Sequence, residues 1–389
     1  MLVVFMCVSI AWATGVGAVV NITSDSNPDV ALSFVPDEPE ALTAKLDIAL
    51  SKSSNGQRAL LLSLDDIKTS LIGQAINPRG LRQLAFIADA EGKTEDARAL
   101  MTLSMKLSRR DFITQLWLIE DGVRSADIVS TMTSYDVALR TSTESAAILY
   151  PILSAALVDD EVQRAFAPYF QANPPWLGSF LNFAINGGGS PIAVAQAITK
   201  GGGLPNDLNY RSLHGQLLQQ LAAKGAFAEA FEYYGLLDSA FKPLLTSTAF
   251  EQATIDPDFA PLTWQLQSTS GLDALFEPIG KSGAQQLHVI VNSGERAPVV
   301  RKLMGFLPGT YSFLQKMTPV RLSNGASAYW QLLCLQGSDR RLIWQSNVNG
   351  TQIEIPEKCK GQYIEFFVAG GANQDGAELI VQSISLRKF

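Results

Sequence analysis

The spacing of apolar residues changes once along this chain, and that change constrains the fold more than any single motif. From about Asn27 to Ala253, apolar residues recur every three or four positions, the period of an amphipathic α-helix. After Asp256 the period becomes two, which is typical of β-strands with one buried face. The sequence therefore predicts a multidomain α plus β protein, with a helical domain over residues 25–255 and a β-domain over residues 256–389.

The β-domain is predicted to be an antiparallel β-sandwich. Its short runs of β-branched and aromatic residues are separated by turn signals such as Pro-Gly and Asn-Gly: 262–267, 286–291, 299–306, 310–314, 328–335, 341–345, 363–368 and 379–386. Alternation predicts which residues share a face: Trp330 with Leu332 and Cys334, Trp264 with Leu266, and Leu342 with Trp344. The three tryptophans are therefore expected in the core. Strand number, terminal position and one cysteine pair resemble those of the jelly-roll modules that bind carbohydrate, a fold-level likeness that assigns no binding residue.

Two helical stretches share a finer signature, in which a glycine ends one helix and an alanine follows five residues later: Leu84, Ala85, Ala88, Gly92 and Ala97, and Leu217, Leu218, Leu221, Gly225 and Ala230. A weaker copy has Leu116, Gly122 and Ala126. The signature resembles the tetratricopeptide helical hairpin, although the copies are irregularly spaced. The resemblance implies a solenoid whose concave face binds a protein partner, and an irregular helical bundle is the alternative.

The first twenty-two residues carry no charge, and residues 1–22 are long enough to cross a bilayer as a helix. Two interpretations remain open. As an anchor in the inner membrane, the segment would hold the body in the periplasm; as a signal peptide, it would be cleaved near Ala13, after which the protein would be secreted. The first basic residue is Lys45, and the missing basic flank suggests that the natural chain starts upstream of Met1.

Cysteine usage and charge bear on compartment and partners. Cys334 and Cys359 form the only pair outside the opening segment, and in an exported domain they are expected to be disulfide-bonded; two unrelated buried thiols are the alternative. The net charge is −7. An acidic balance of this kind argues against a nucleic-acid partner, because such partners select a basic surface.

Motifs for chemistry are nearly absent. The two histidines, His214 and His288, fall in different predicted domains, which excludes a two-histidine zinc motif. Gly280-Lys281-Ser282 lacks the upstream glycine of a phosphate-binding loop, and the glycine runs 187–189 and 201–203 have Ile192 and Asn206 where a dinucleotide fingerprint needs glycine or alanine. These runs are expected to end helices. No catalytic, cofactor-binding or metal-binding residue is therefore assigned.

Two hypotheses follow. The first is a non-catalytic bacterial envelope scaffold, linked to assembly or export of surface polysaccharide, whose sandwich binds a glycan or a protein. Its candidate contacts lie on the strand face opposite Trp330 and Phe366: Tyr329, Gln331, Tyr363, Glu365 and Phe367. The alternative is a carbohydrate-active enzyme with an acidic pair in the helical domain, drawn from Asp37, Glu38, Glu40, Asp65 and Asp66. At helix starts such carboxylates are ordinarily favoured by the helix dipole alone.

Overall fold

The computed structural model describes residues 2–52, 63–204, 208–267, 269–280, 283–322, 324–337, 339–371 and 376–389. Lys281, Ser282 and Asn206, named above in rejected motifs, lie outside the described residues. The chain divides into two compact units, Met1–Leu149 and Tyr150–Phe389. The first unit is helical, whereas the second contains both helices and β-sheets.

The helices follow one another through short connections. Those of the first unit are α1 (Leu2–Thr23), α2 (Pro28–Phe34), α3 (Pro39–Lys52), α4 (Leu64–Gly73), α5 (Pro78–Ala90), α6 (Thr94–Leu107), α7 (Phe112–Arg124) and α8 (Ile128–Thr141). The unit boundary falls inside α9 (Ser145–Ala156), and the second unit continues with α10 (Asp160–Ala172), α11 (Leu177–Asn186), α12 (Pro191–Lys200), α13 (Leu208–Ala223) and α14 (Phe227–Leu237). Three 3₁₀ turns, Ser239–Leu245, Gln252–Thr254 and Pro257–Phe259, lead from α14 to the first strand.

Helix α1 is the apolar opening segment. Its stretch Phe5–Thr23 is long and apolar enough to cross a membrane, a criterion that a signal sequence near the N-terminus also meets. Its C-terminal part is packed: Val20 is buried in a small cluster with Ala31 and Ala41, and Val16 packs against that cluster.

Three helical hairpins, α5/α6, α7/α8 and α13/α14, share one turn. Each connection has three residues, and its middle residue has a positive φ: Gly92 (77°), Ala126 (56°) and Gly225 (73°). In the first hairpin the N–H of Gly92 donates to the carbonyl of Asp89, and that of Lys93 donates to Ala88. The other two turns have the equivalent pairs of hydrogen bonds, which define the Schellman helix ending.

The α7/α8 hairpin corrects one detail of the sequence pattern. Gly122 was expected to end a helix, but it lies inside α7, and Ala126 occupies the left-handed turn position. Gly122 instead permits close helix packing, because a Cβ there would lie 2.3 Å from Oγ1 of Thr131. In the other two hairpins the close-packed residue is the buried alanine, Ala97 or Ala230.

Among the described residues, ten strands form two antiparallel sheets. They are β1 (Gln265–Leu266), β2 (Leu272–Pro278), β3 (Gln285–Val291), β4 (Arg296–Met304), β5 (Gly309–Leu322), β6 (Ser327–Gln336), β7 (Asp339–Gln345), β8 (Gln352–Ile355), β9 (Gly361–Ala369) and β10 (Ala377–Lys388). The first sheet has the order β1-β4-β9-β6-β7, and the second has the order β2-β3-β10-β5-β8. Side chains of both sheets enter one core, in which Trp264, Trp330 and Trp344 are buried.

Two predicted face-sharing pairs are wrong. Leu332 lies opposite Trp344 and Leu333 lies opposite Leu342, so Ile343 is an extra residue in a β-bulge. The bulge reverses the alternation, which leaves Leu342 49% exposed while Trp344 is 1% exposed. Leu266 is likewise exposed, whereas Trp264 is buried. Trp264 lies before the two-residue strand β1, outside its alternation, and its indole N–H donates to the carbonyl of Ala249.

Two local predictions on cysteine and glycine hold. Cys334 and Cys359 are joined as a disulfide, and both are buried in the sandwich core. Gly187 and Gly201 follow the last residues of α11 and α12, where each backbone N–H donates to a carbonyl of the preceding turn. The glycine runs are therefore helix endings.

The helices of the second unit pack on one end of the first sheet. Gly361 lies under the ring of Phe227, where a Cβ would come within 3.0 Å of the ring Cγ. Gly225, in the α13/α14 turn, approaches Gly337 so closely that a Cβ would lie 2.6 Å from its Cα. Both contacts require glycine, at Gly361 and at Gly225, and they place the end of α13 beside the first sheet.

Candidate functional site

The five candidate ligand contacts lie on one face of the first sheet. Tyr329 is opposite Phe367 across β6 and β9, and Gln331 is opposite Glu365. Tyr363 lies two residues along β9 from Glu365, so it shares the same face. Trp330 and Phe366 point the other way, into the core. We call the five-residue side the outer face.

The aromatic rings of the outer face are covered by its own side chains. Tyr329 and Phe367 stack, with ring centroids 5.2 Å apart and planes 16° apart. Tyr363 has the guanidinium groups of Arg301 and Arg340 over its ring, each 5.4 Å from the centroid. Tyr329 and Tyr363 are each only 7% exposed, so Phe367, which is half-buried, is the ring of the three most open to a ligand.

A row of polar side chains crosses the outer face from β1 to β7. Strand register places these residues side by side: Gln265, Arg301, Glu365, Gln331 and Gln345. The amide of Gln331 donates to Glu365 at 2.8 Å, and Nε of Arg301 donates to Gln265 at 3.1 Å. Four strand spacings of about 4.8 Å make the row roughly 19 Å long. We call it the polar row.

An open cleft of about 590 Å³ lies where α13 meets the outer face. Gln219, Ala222 and Ala223 of α13 form one wall, and Gln265, Arg301, Arg340 and Tyr363 are among the residues of the other. The volume is within the range of small-ligand sites. The cleft therefore joins one end of the polar row to the covered ring of Tyr363.

The electrostatics of the cleft are basic. None of the ion pairs found in the described part of the chain includes Arg301 or Arg340. Burial raises the pKa of Tyr363; the charges of Arg301 and Arg340 act in the opposite direction, and the charge of Glu365 adds to the rise. The phenol therefore stays protonated at neutral pH and can donate a hydrogen bond.

Sequence reasoning did not find the arginines of this site. The candidate contacts were chosen around exposed aromatic residues. Nothing in the sequence pairs Arg301 on β4 with Arg340 on β7, because these two strands are not neighbours in the sheet. The usable signal was alternation inside the predicted run 299–306, which puts Arg301 on the face opposite Val300.

A second cavity, of about 310 Å³, contains His214 among helices and 3₁₀ turns of the second unit. Nδ1 of His214 lies 2.7 Å from the hydroxyl of Tyr233. Burial, followed by the charge of Arg211, lowers the pKa of His214 to about 4. Arg211 is itself paired with Asp256 and Asp258. The imidazole is therefore neutral at physiological pH and serves as a hydrogen-bond partner in a packed region.

His288 has a different environment, on the outer surface of the second sheet. Its ring nitrogens lie 3.0 Å from carboxylate oxygens of Glu277 and Glu378. The hydrogen bond to Glu277 is the main cause of a raised pKa, and Glu378 adds to it. Within the described ranges, no set of three His, Cys, Asp or Glu side chains has the arrangement of a metal site.

The acidic candidates of the helical domain lie at helix starts. Glu40 is in the first turn of α3, and Asp65 and Asp66 are in the first turn of α4. All three side chains are exposed, as is Asp37. Glu38 is partly buried beside Glu40 and Asp37; burial and the two like charges raise its pKa.

Comparison with known proteins adds little. No family model matches the sequence, and no curated protein matches it. Among solved structures, the chain is similar to one from the crystal structure of accessory secretory protein 1, 2 and 3 in Streptococcus pneumoniae. The identity is 9%, the match covers 37% of this chain and 96% of that chain, and the TM-score is 0.25. A likeness of that size carries no argument about function.

Proposed function

We propose that this chain is an exported, non-catalytic binding protein of the bacterial envelope, whose β-sandwich binds a glycan on the outer face and in the adjoining cleft. Export is supported by the apolar helix α1 and by the Cys334–Cys359 disulfide. We favour retention of α1 as an inner-membrane anchor, with the body in the periplasm. The mass of the mature protein tests this: an intact N-terminus supports an anchor, whereas cleavage near Ala13 supports secretion.

The proposal includes a jelly-roll sandwich, and the strand order supports it. If β3 to β10 are counted as eight strands, one sheet contains the first, eighth, third and sixth in that order. The other contains the second, seventh, fourth and fifth. This is the order of a jelly roll, an architecture that includes lectin domains. β1 and β2 extend one edge of each sheet.

The helical part is proposed to be a degenerate tetratricopeptide-like solenoid that binds a protein partner. Its support is the shared turn of the three hairpins, with a left-handed residue at Gly92, Ala126 and Gly225. Helical repeats leave an extended surface that ordinarily binds proteins. One chain that contacts a protein partner and a glycan would suit assembly or export of a surface polysaccharide.

The observation that carries the glycan proposal is the junction of the polar row with the cleft. Gln265, Gln331 and Gln345 each offer an amide donor and acceptor, which matches the hydroxyl groups of a sugar. Tyr363 and Arg301 connect this row to a concave site. Neither histidine is among the residues that line the cleft, which suits binding without catalysis.

A glycan array probed with the full chain in detergent tests the proposal. The cleft is blocked by Ala223→Trp, since Ala223 is an exposed residue of the α13 wall. Ala228→Trp is the matched control, because Ala228 is exposed on α14 and does not line the cleft. We expect wild type and the control to bind the same glycans, and the Ala223 variant to lose them. Binding to no glycan, or equal binding by all three proteins, contradicts the proposal.

A further inference from the structure

Two arginines give the cleft a positive charge, opposite in sign to the net charge of the chain. The chain has a net charge of −7, yet Arg301 and Arg340 share one site and pair with no carboxylate in the described ranges. A polyanion is therefore repelled by the protein as a whole, and it can bind here only through local contacts.

The two guanidinium groups lie against the ring of Tyr363. Arg301 is half-buried, its Nε donates to Gln265, and its plane lies near the ring of Tyr363. Its terminal nitrogens have no hydrogen-bond acceptor in the described chain. Arg340 is exposed and lies over the same ring. A guanidinium fork matches the two oxygens of a carboxylate, and a packed arginine loses little side-chain entropy on binding.

We infer that the cleft binds the carboxylate of a uronic-acid unit, and hence that the ligand is an acidic polysaccharide; this rests on the proposed function. The remainder of the polar row suits the uncharged groups of such a sugar. Glu365, which is only 6% exposed, lies beside Arg301 and accepts a hydrogen bond from Gln331, and the glutamines of the row accommodate hydroxyl groups. The row crosses the strands instead of following an edge, so a peptide cannot extend the sheet there.

The test is titration calorimetry of the full chain in detergent with three uronate-containing polysaccharides: polygalacturonate and alginate, which carry a carboxylate on every sugar, and hyaluronate, which carries one on every second sugar. Fully methyl-esterified polygalacturonate has the same backbone without charge, and poly-glutamate supplies carboxylates on a peptide. Arg340→Gln and Arg301→Gln remove one cleft charge each. Arg341→Gln is the matched control, because Arg341 is exposed on the same strand and does not line the cleft.

We expect at least one of the three acidic polysaccharides to bind, and the cleft variants to weaken binding about tenfold or more, the size expected of a charge-assisted hydrogen bond. The control should change affinity less than twofold. Equal weakening by Arg341→Gln, or binding of the ester as tightly as of the acid, overturns the inference and leaves the proposed function standing. If none of the three acidic polysaccharides binds while glycans of the array do, the inference is likewise overturned and the proposed function stands. Preference for poly-glutamate overturns the inference and indicates an acidic protein as the ligand. Absence of all glycan binding refutes the proposed function itself.

Discussion

The side-chain nitrogen of Lys302 lies 2.8 Å from the carbonyl oxygen of Leu244, inside the second unit and fully out of contact with solvent. It also donates to the carbonyl of Ser247. Burial lowers the pKa of Lys302 from 10.5 to about 7, and the charge of Glu251 only partly opposes that shift. The lysine therefore connects β4 to the turn Ser239–Leu245, and its contribution to the free energy of unfolding depends on pH.

We expect the free energy of unfolding to rise as the pH increases from about 7 to 10. In that window the unfolded chain still binds the proton that the folded chain has released, so the slope is positive, with a maximum of about 1.4 kcal/mol per pH unit. Lys302→Met should lack this slope, whereas Lys316→Met, at an exposed position, should keep it. Urea unfolding at several pH values measures both. Equal slopes in the two variants would refute the buried, titrating lysine.

The two histidines should titrate in opposite directions from the ordinary value of 6.5. His288, between Glu277 and Glu378, has a raised pKa, so its charged form stabilises the fold below pH 6.5 and that stabilisation is lost as the pH rises through the folded pKa. His214 has a pKa of about 4. The two imidazole signals, assigned with His214→Gln, can be followed by NMR. Two signals titrating together near pH 6.5 would contradict both environments.

Ala126 occupies a position that glycine fills in the other two hairpins. Its φ of 56° is unfavourable for a residue with a Cβ, so Ala126→Gly should raise the free energy of unfolding by about 0.5–1 kcal/mol. Gly92→Ala is the reverse test: a Cβ at Gly92 would meet no atom within 4 Å, so the expected loss of about 1 kcal/mol is purely conformational. Urea midpoints measure both changes. A destabilised Ala126→Gly variant would show that the turns are not equivalent.

Periodicity in the sequence predicted the change from helices to strands and most of the strands themselves. It missed β2 and β8 for different reasons. β2 contains Asp273, Glu277 and Pro278, which weaken a strand pattern, and β8 has only four residues. It also could not anticipate the bulge at Ile343, because one extra residue reverses which face each side chain takes.

The candidate site was only partly predictable. Alternation alone put Tyr329 and Gln331 on one face of their strand, and Tyr363, Glu365 and Phe367 on one face of theirs. The uninterrupted pairing of β6 with β9 brings the two sets together. The coverage of the Tyr363 ring by Arg301 and Arg340 depends on strand order and on the bulge between Pro298 and Val300, neither of which can be read from a single sequence. The cleft depends further on the approach of Gly225 to Gly337, a contact between distant segments.

The most direct test of ligand binding on the outer face is protection of its arginines from phenylglyoxal, mapped by peptide mass spectrometry. The full chain is modified with and without a saturating concentration of the strongest array glycan. We expect the ligand to reduce modification of Arg301 and Arg340 severalfold and to leave Arg341 unchanged, whatever the charge of the sugar. Equal modification of all three arginines with and without the glycan would contradict a binding site at this cleft.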